Sequence, residues 1–309
     1  MIRMVSVPSA LLLAALAAVV TPARPAAQQE GLASRIVATD PGAYRQLKAV
    51  HAGAGGMAFA GLLNRGAIGP HFNFLHRGEI PAGSGIGHHF HNMVEEMFVI
   101  LDGEAQFTIN GRTAQLKGPV AVVCRAGDSH AILNTGDSTL QWMNFQVATV
   151  VGAGDAFDLG DDRVGVAVDR VPTFMHRELD PSLVRPAGGR GRGAAPAADP
   201  GVRSRRLFGP TVFRSPWAYV DHVIVEPGAS TPEATHDHVG EAYYVLAGSG
   251  TVTIAGETAP IARWNAIPVR LDETSRFTNT GTEPLELLVV GVARDMETKL
   301  ANLQELNRP

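Results

Sequence analysis

Along most of its length the chain reads as short apolar or alternating stretches broken by Gly, Asn and Asp. That period-two pattern belongs to strands rather than helices. In the first half it predicts strands over His71–Ile80, Met97–Leu101, Gln106–Ile109, Thr113–Leu116, Val120–Cys124, His130–Leu133 and Leu140–Val150. Asn110-Gly111 suits a type I′ hairpin turn. In the second half strands are predicted over Tyr219–Val225, Ala242–Leu246, Thr251–Ile254, Ile267–Leu271, Ser275–Thr278 and Leu285–Val292. Helical periodicity is confined to Asp295–Leu306, so the fold class expected is all-β with a short C-terminal helix.

The two halves repeat at a constant offset of 145 residues without a gap: Gly83 to Gly228, Glu96 to Glu241, Gly103 to Gly248, Gly111 to Gly256, Asn134 to Asn279 and Gly136 to Gly281. One fold used twice is the simplest source of such a match. Residues 45–150 then form an N-terminal domain and 216–309 a C-terminal one. The connecting stretch 151–215 is expected to be a linker, with an Arg/Gly/Pro-rich segment from Arg185 to Arg206 too poor in apolar residues to order itself. Ahead of the repeats, the apolar run Ser9–Val20 behind Arg3, followed by small residues and prolines, reads as a signal peptide over residues 1–27. It is too short for a membrane span of roughly 20 residues. The mature chain is expected to be periplasmic or secreted.

Composition narrows the chemistry. A formal net charge of −4 offers no basic field for nucleic acid, so the expected partner is a small molecule. Cys124 is the only cysteine, which excludes an intrachain disulfide and a thiolate metal cluster. It closes the apolar run Val120–Val123 and is expected to be a buried structural thiol. Any metal site must use imidazole and carboxylate. His89 and His91 lie two apart on an expected strand and leave the same face, whereas His88 and Phe90 leave the other. Glu96 follows across a turn and His130 opens a later strand. Three imidazoles and a carboxylate suit one divalent transition metal: Cu, Mn, Fe, Ni or Zn.

These residues resemble the cupin superfamily, whose first motif is Gly, five residues, His-x-His, three or four residues, Glu, six residues, Gly. Gly83, His89, His91, Glu96 and Gly103 reproduce it, and the last gap selects Glu96 over Glu95. The second motif, Pro-x-Gly, two residues, His, three residues, Asn, is matched by Gly127, His130 and Asn134, with Arg125 at the Pro position. The resemblance implies two tandem double-stranded β-helix barrels, with His89, His91, Glu96 and His130 as metal ligands. Adding the offset turns the four ligands into Ala234, His236, Glu241 and Ser275, so the second site is expected to be degraded, with His236 and Glu241 as vestiges. His238 then falls on a turn.

By its architecture the chain is similar to exported two-domain cupins of the quercetin 2,3-dioxygenase and oxalate decarboxylase kinds. In the first kind the glutamate accepts a proton from an enol substrate. A dioxygenase-type oxidoreductase with Glu96 as catalytic residue is therefore the leading expectation. A decarboxylase or lyase, or a non-catalytic sugar- or small-molecule-binding protein, is the alternative, and a homo-oligomer is left open. Phe90, Phe98, Phe107, Trp142 and Phe145 are the aromatic residues available to wall the first site or to fill its core.

Overall fold

The computed structural model describes residues 31–186, 199–236 and 238–306, and side chains as far as residue 303. The expected signal peptide and residues 187–198 of the Arg-rich segment lie outside the described residues.

Each repeat forms a pair of antiparallel sheets. In the first, a seven-stranded sheet runs in the order His176–Glu178, Val120–Cys124, Val94–Ile100, Leu140–Ala148, Phe72–Ile80, Gly56–Leu63, Arg45–Lys48. Its partner is a five-stranded sheet ordered Phe157–Asp161, Gly85–Phe90, Ser129–Leu133, Glu104–Ile109, Arg112–Lys117. In the second repeat a seven-stranded sheet, centred on Val239–Ala247, Leu285–Ala293 and Trp217–Val225, faces the four strands Ala234–Thr235, Thr274–Thr278, Ser249–Ile254 and Glu257–Ala262. The hairpin at Asn110-Gly111 has positive φ at both residues (51° and 77°), as a type I′ turn requires.

Three buried layers hold this together. Ile80, Phe98, Phe107, Ile132 and Trp142 pack between the sheets of the first repeat, and Val245, Val252, Phe277 and Leu287 do so in the second. The third layer joins the backs of the two seven-stranded sheets, with Met97, Val99 and Phe145 meeting Trp217, Tyr244 and Leu288. A strand such as Val94–Ile100 is therefore buried on both faces, Phe98 and Ile100 inward and Met97 and Val99 toward the other repeat. Its sequence is correspondingly apolar at every position from Met97 to Ile100 rather than alternating. Cys124 is 2% exposed within this core, and burial pushes its thiol well above the usual range.

Two segments depart from the sequence expectation. Residues ahead of the first repeat complete the second: Val37–Ala38 pair with Ala266 and Asn265, Leu32 enters the second core, and Arg35 forms a two-pronged ion pair with Glu273 at 2.9 and 2.6 Å. The stretch 151–215, expected to be a linker, contributes strands instead. Phe157–Asp161 and His176–Glu178 extend the two sheets of the first repeat, and Val202–Phe208 extends the second. Brevity and exposure at the sheet edges conceal Phe157–Asp161 and His176–Glu178, where even Phe157 and Leu159 are exposed. The run Arg203-Ser204-Arg205-Arg206 conceals Val202–Phe208, which lies inside its sheet.

Candidate metal centre

His89 and His130 sit directly opposite one another on paired strands. His91 follows the end of its strand, and the Gly127 N–H donates to the His91 carbonyl oxygen at 2.6 Å, which ties the two motifs together. Gly127 has φ 86°, a conformation that glycine adopts without penalty. Glu96 arrives from the other sheet. The four residues are 1–5% exposed and bring one potential ligand atom each to within 4.8 Å of one another. His88 points away, as its place on the strand predicts, to Ser129 Oγ (2.9 Å) and Asp161 (3.3 Å).

The imidazoles are oriented for ligation through Nε2. His89 Nδ1 is bonded to the Gly87 carbonyl oxygen at 2.8 Å, and His91 Nδ1 to that of Asp155. Backbone bonds of this kind fix the tautomer and leave the other nitrogen free to bind. His91 Nε2 is buried without a hydrogen-bond partner among the described residues. Burial, with the neighbouring His130, pulls the pKa of His89 down to about 2, so the ring is neutral, as a ligand must be. Burial would raise the Glu96 pKa, but the hydrogen bond from His130 (3.1 Å) and the nearby His91 ring (3.6 Å) outweigh it and hold the carboxyl well below its usual range. The donor set thus fits one divalent transition metal.

A relay braces the carboxylate from behind. Gln146 Nε2 donates to Glu96 Oε1 at 2.8 Å, and Asn73 Nδ2 donates to Gln146 Oε1 at 2.8 Å. In front lies a cavity of about 320 Å³ bordered by Phe59, Phe74, His76, Phe98 and Trp142. His76 stacks on Phe74 with ring centres 3.7 Å apart, and burial lowers its pKa to about 4. The wall also carries Trp142 Nε1 and Asn144 Oδ1, buried and unpartnered among the described residues. Of the five aromatic residues singled out in the sequence, Phe98 and Trp142 line the cavity, Phe107 lies in the core beneath, and Phe90 stacks on Phe157. Phe145 faces the other repeat.

Sequence reasoning missed the contribution of the 151–161 stretch. Asp155 holds His91 through its carbonyl and caps the Asn92 and Met93 amides with its carboxylate (2.7 and 3.0 Å). Asp158 binds His51, whose ring stacks on His89 at 3.8 Å. His51 has φ 51° on an irregular turn, and no periodic pattern announces it. Gln146 was findable: with Asn144 it interrupts an apolar strand on the face of Trp142, and buried polar side chains are there for a partner.

The second repeat is built differently at the same positions. Ala234 pairs with Ser275, and Glu241, 3% exposed, accepts hydrogen bonds from the Tyr219 and Tyr243 hydroxyls at 2.6 and 2.7 Å. These tyrosines occupy the places of Phe74 and Phe98. Gly291 stands where the first repeat has Gln146, and a Cβ there would lie 2.5 Å from the Tyr219 ring. His236 stays 3.7 Å from Glu241 with a 41% exposed side chain. His238, on a turn at φ 58°, contacts Asp272 and not Glu241.

The cupin domain model matches residues 76–146 and 221–291, one match per repeat. The oxalate-binding protein of Thermotoga maritima is 33% identical over 91 residues, covering 29% of this chain and 75% of that protein. The chain belongs to the cupin family and carries its domain twice. Salicylate 1,2-dioxygenase from Pseudaminobacter salicylatoxidans superposes with a TM-score of 0.58 at 16% identity, over 81% of this chain and 79% of that one. Oxalate decarboxylase from Lactobacillus farciminis gives 0.59 at 14% identity, over 86% and 90%. At such identities the likeness is one of fold.

Proposed function

We propose that this protein is a metal-dependent oxidoreductase of the dioxygenase type acting on an enol or aromatic small molecule, with His89, His91, Glu96 and His130 as ligands and Glu96 as proton acceptor. The observation that carries the reading is the aromatic cavity opening onto the His/Glu cluster, with no Lys or Arg lining it among the described residues. A dianion such as oxalate would lack a protein cation there, whereas a planar ring fits between Phe74, Phe98 and Trp142. The salicylate dioxygenase shares the fold, which is compatible with this chemistry without specifying it.

When bound, the metal supplies Lewis acidity and a site for dioxygen activation. The residues of the chain do the rest. Trp142 Nε1 and Asn144 Oδ1 offer one donor and one acceptor to orient polar substituents of a ring. Glu96, ionised at neutral pH, accepts the enol proton, and Gln146 keeps its carboxylate aimed at the cavity. The apolar walls exclude water from the reacting face.

Oxygen uptake by the metal-loaded protein with flavonols, catechols and oxalate tests this reading. Consumption is expected with an enol or aromatic substrate and not with oxalate. Carbon dioxide release from oxalate without net oxygen consumption would instead establish a decarboxylase, and tight binding without turnover a binding protein.

We also propose export, on the strength of the apolar run Ser9–Val20 and the small residues behind it. Mass spectrometry of the periplasmic or secreted fraction is expected to show a chain shortened by about two dozen residues. Cytosolic protein retaining Met1 would sink the proposal.

A further inference from the structure

A cavity of about 700 Å³, larger than the one at the metal centre, lies between the two repeats. Equivalent positions of both copies meet in its wall: Leu101 with Leu246, Pro119 with Trp264, and Gln141 with Glu286. The rest of the lining mixes uncharged residues such as Leu179, Ile224 and Tyr244 with charged ones. The repeat makes one asymmetry plain. In the second copy His222, fully buried, is matched by a carboxylate: its Nε2 lies 2.7 Å from Glu286 Oε1. The first-copy equivalents are Arg77 and Gln141. A buried basic side chain stands at the same place in both copies, but the carboxylate that faces it in the second is gone from the first.

Arg77 is 2% exposed and lines the cavity. Its Nη1 donates to the carbonyl oxygens of Gly78 (2.6 Å) and Trp142 (3.2 Å), and its Nε to the Tyr244 hydroxyl (3.3 Å). Its Nη2 makes no hydrogen bond, and no carboxylate lies within 4 Å of the guanidinium, among the described residues. Glu79, two residues along the same strand, is engaged by Gln141 at 3.4 Å. The other charged groups around the cavity are largely committed: Arg203 to Glu226 (2.7 Å), Glu286 to His222, and Asp102 to the Gln141 amide (2.8 Å). Arg263 lies over the Trp264 ring at 4.9 Å, and the Glu283 carboxylate forms no ion pair among the described residues.

A buried arginine without a counter-charge is unfavourable, and an anion that completes its hydrogen bonds removes the penalty. Trp264, in the two-residue connection between the strands Glu257–Ala262 and Asn265–Val269, holds φ 74° with its backbone bonded to Val245 and Thr39, and it borders the cavity. We propose that the inter-repeat cavity binds a small monocarboxylate with an apolar body, its carboxylate on Arg77 in the place that Glu286 fills for His222, and its body against Leu101, Leu179, Leu246 and Trp264. Guanidinium and carboxylate match in a two-pronged geometry, and the cavity offers no second free buried cation for a dianion. This site is independent of the reaction assigned to the metal centre.

Calorimetric titration of the metal-loaded full chain with benzoate and its neutral counterpart benzamide tests the proposal. Saturable benzoate binding is expected, with benzamide roughly tenfold or more weaker. Arg77→Gln should weaken benzoate by a similar factor. Because that buried change can unfold the chain, Gln141→Glu combined with Glu79→Ile is the decisive variant: it reproduces the Glu286 and Ile224 of the second repeat without setting one carboxylate against another, and it should displace benzoate while the protein stays folded. Equal binding of benzoate and benzamide, no benzoate binding at all, or unchanged affinity in the folded double variant would overturn the proposal. So would a benzoate signal that survives in Arg77→Gln but vanishes in His91→Ala, since the ligand would then sit at the metal centre.

Discussion

Metal analysis of the purified full chain is expected to give one divalent transition-metal ion per molecule, and His91→Ala is expected to weaken that binding by roughly 10²-fold or more. Loss of partners that merely orient a ligand costs 10- to 100-fold, so loss of a ligand should cost at least as much. His91 is a suitable probe because its Nε2 has nothing else to bind among the described residues and its Nδ1 is already anchored at Asp155. The truncation should leave the fold intact, since the core between the sheets rests on Phe98, Phe107, Ile132 and Trp142 rather than on the histidine. A stoichiometry of one follows from the second repeat, where the Tyr219 and Tyr243 hydroxyls occupy both oxygens of Glu241. Ala234 and Ser275 also replace two of the imidazoles. Two ions per chain, persisting in His91→Ala, would show that this tyrosine-capped carboxylate does bind metal.

Glu96→Gln is expected to retain part of the metal while lowering turnover on an identified substrate by about 10²-fold or more. The substitution keeps the volume of the side chain and one oxygen donor, so the brace from Gln146 and the packing of the strand are little disturbed. It removes the negative charge that the His130 hydrogen bond and the nearby His91 ring stabilise, and with it the ability to take up a proton. A deficit in kcat per bound metal ion separates this role from simple ligation. His238→Ala, on a half-exposed turn away from Glu241, is the control and should change neither quantity. Full activity in Glu96→Gln would remove the proton-acceptor role and leave the carboxylate as a ligand alone.

The stretch 151–161 shows where local pattern ran out. Phe157–Asp161 is an exposed edge strand of five residues, too short to be told from a linker by its pattern. It became a wall of the site only by pairing with Gly85–Phe90, bringing Asp155 to His91 and Asp158 to His51. The Val37–Ala38 strand is likewise too short to read, and its partner lies more than 220 residues away in the chain.

What the sequence determined alone was whatever depends on spacing within one strand or on the repeat. The i, i+2 rule put His89 and His91 on one face and His88 on the other, and the offset that maps Glu96 to Glu241 exposed the loss of two imidazoles in the second copy. Tertiary structure decided what depends on residues far apart in sequence meeting in space. Tyr219 seals the second carboxylate because Gly291 leaves room for its ring. Phe145 faces the other repeat while Phe98 faces the cavity, because a strand between two cores must choose a side for each residue. Arg77 stands without a carboxylate because Gln141 occupies the position of Glu286, and that vacancy has meaning only once both repeats close around one cavity. Periodicity records which face a residue leaves by, whereas the neighbour it meets there is set by the packing of sheets whose strands are scattered along the whole chain.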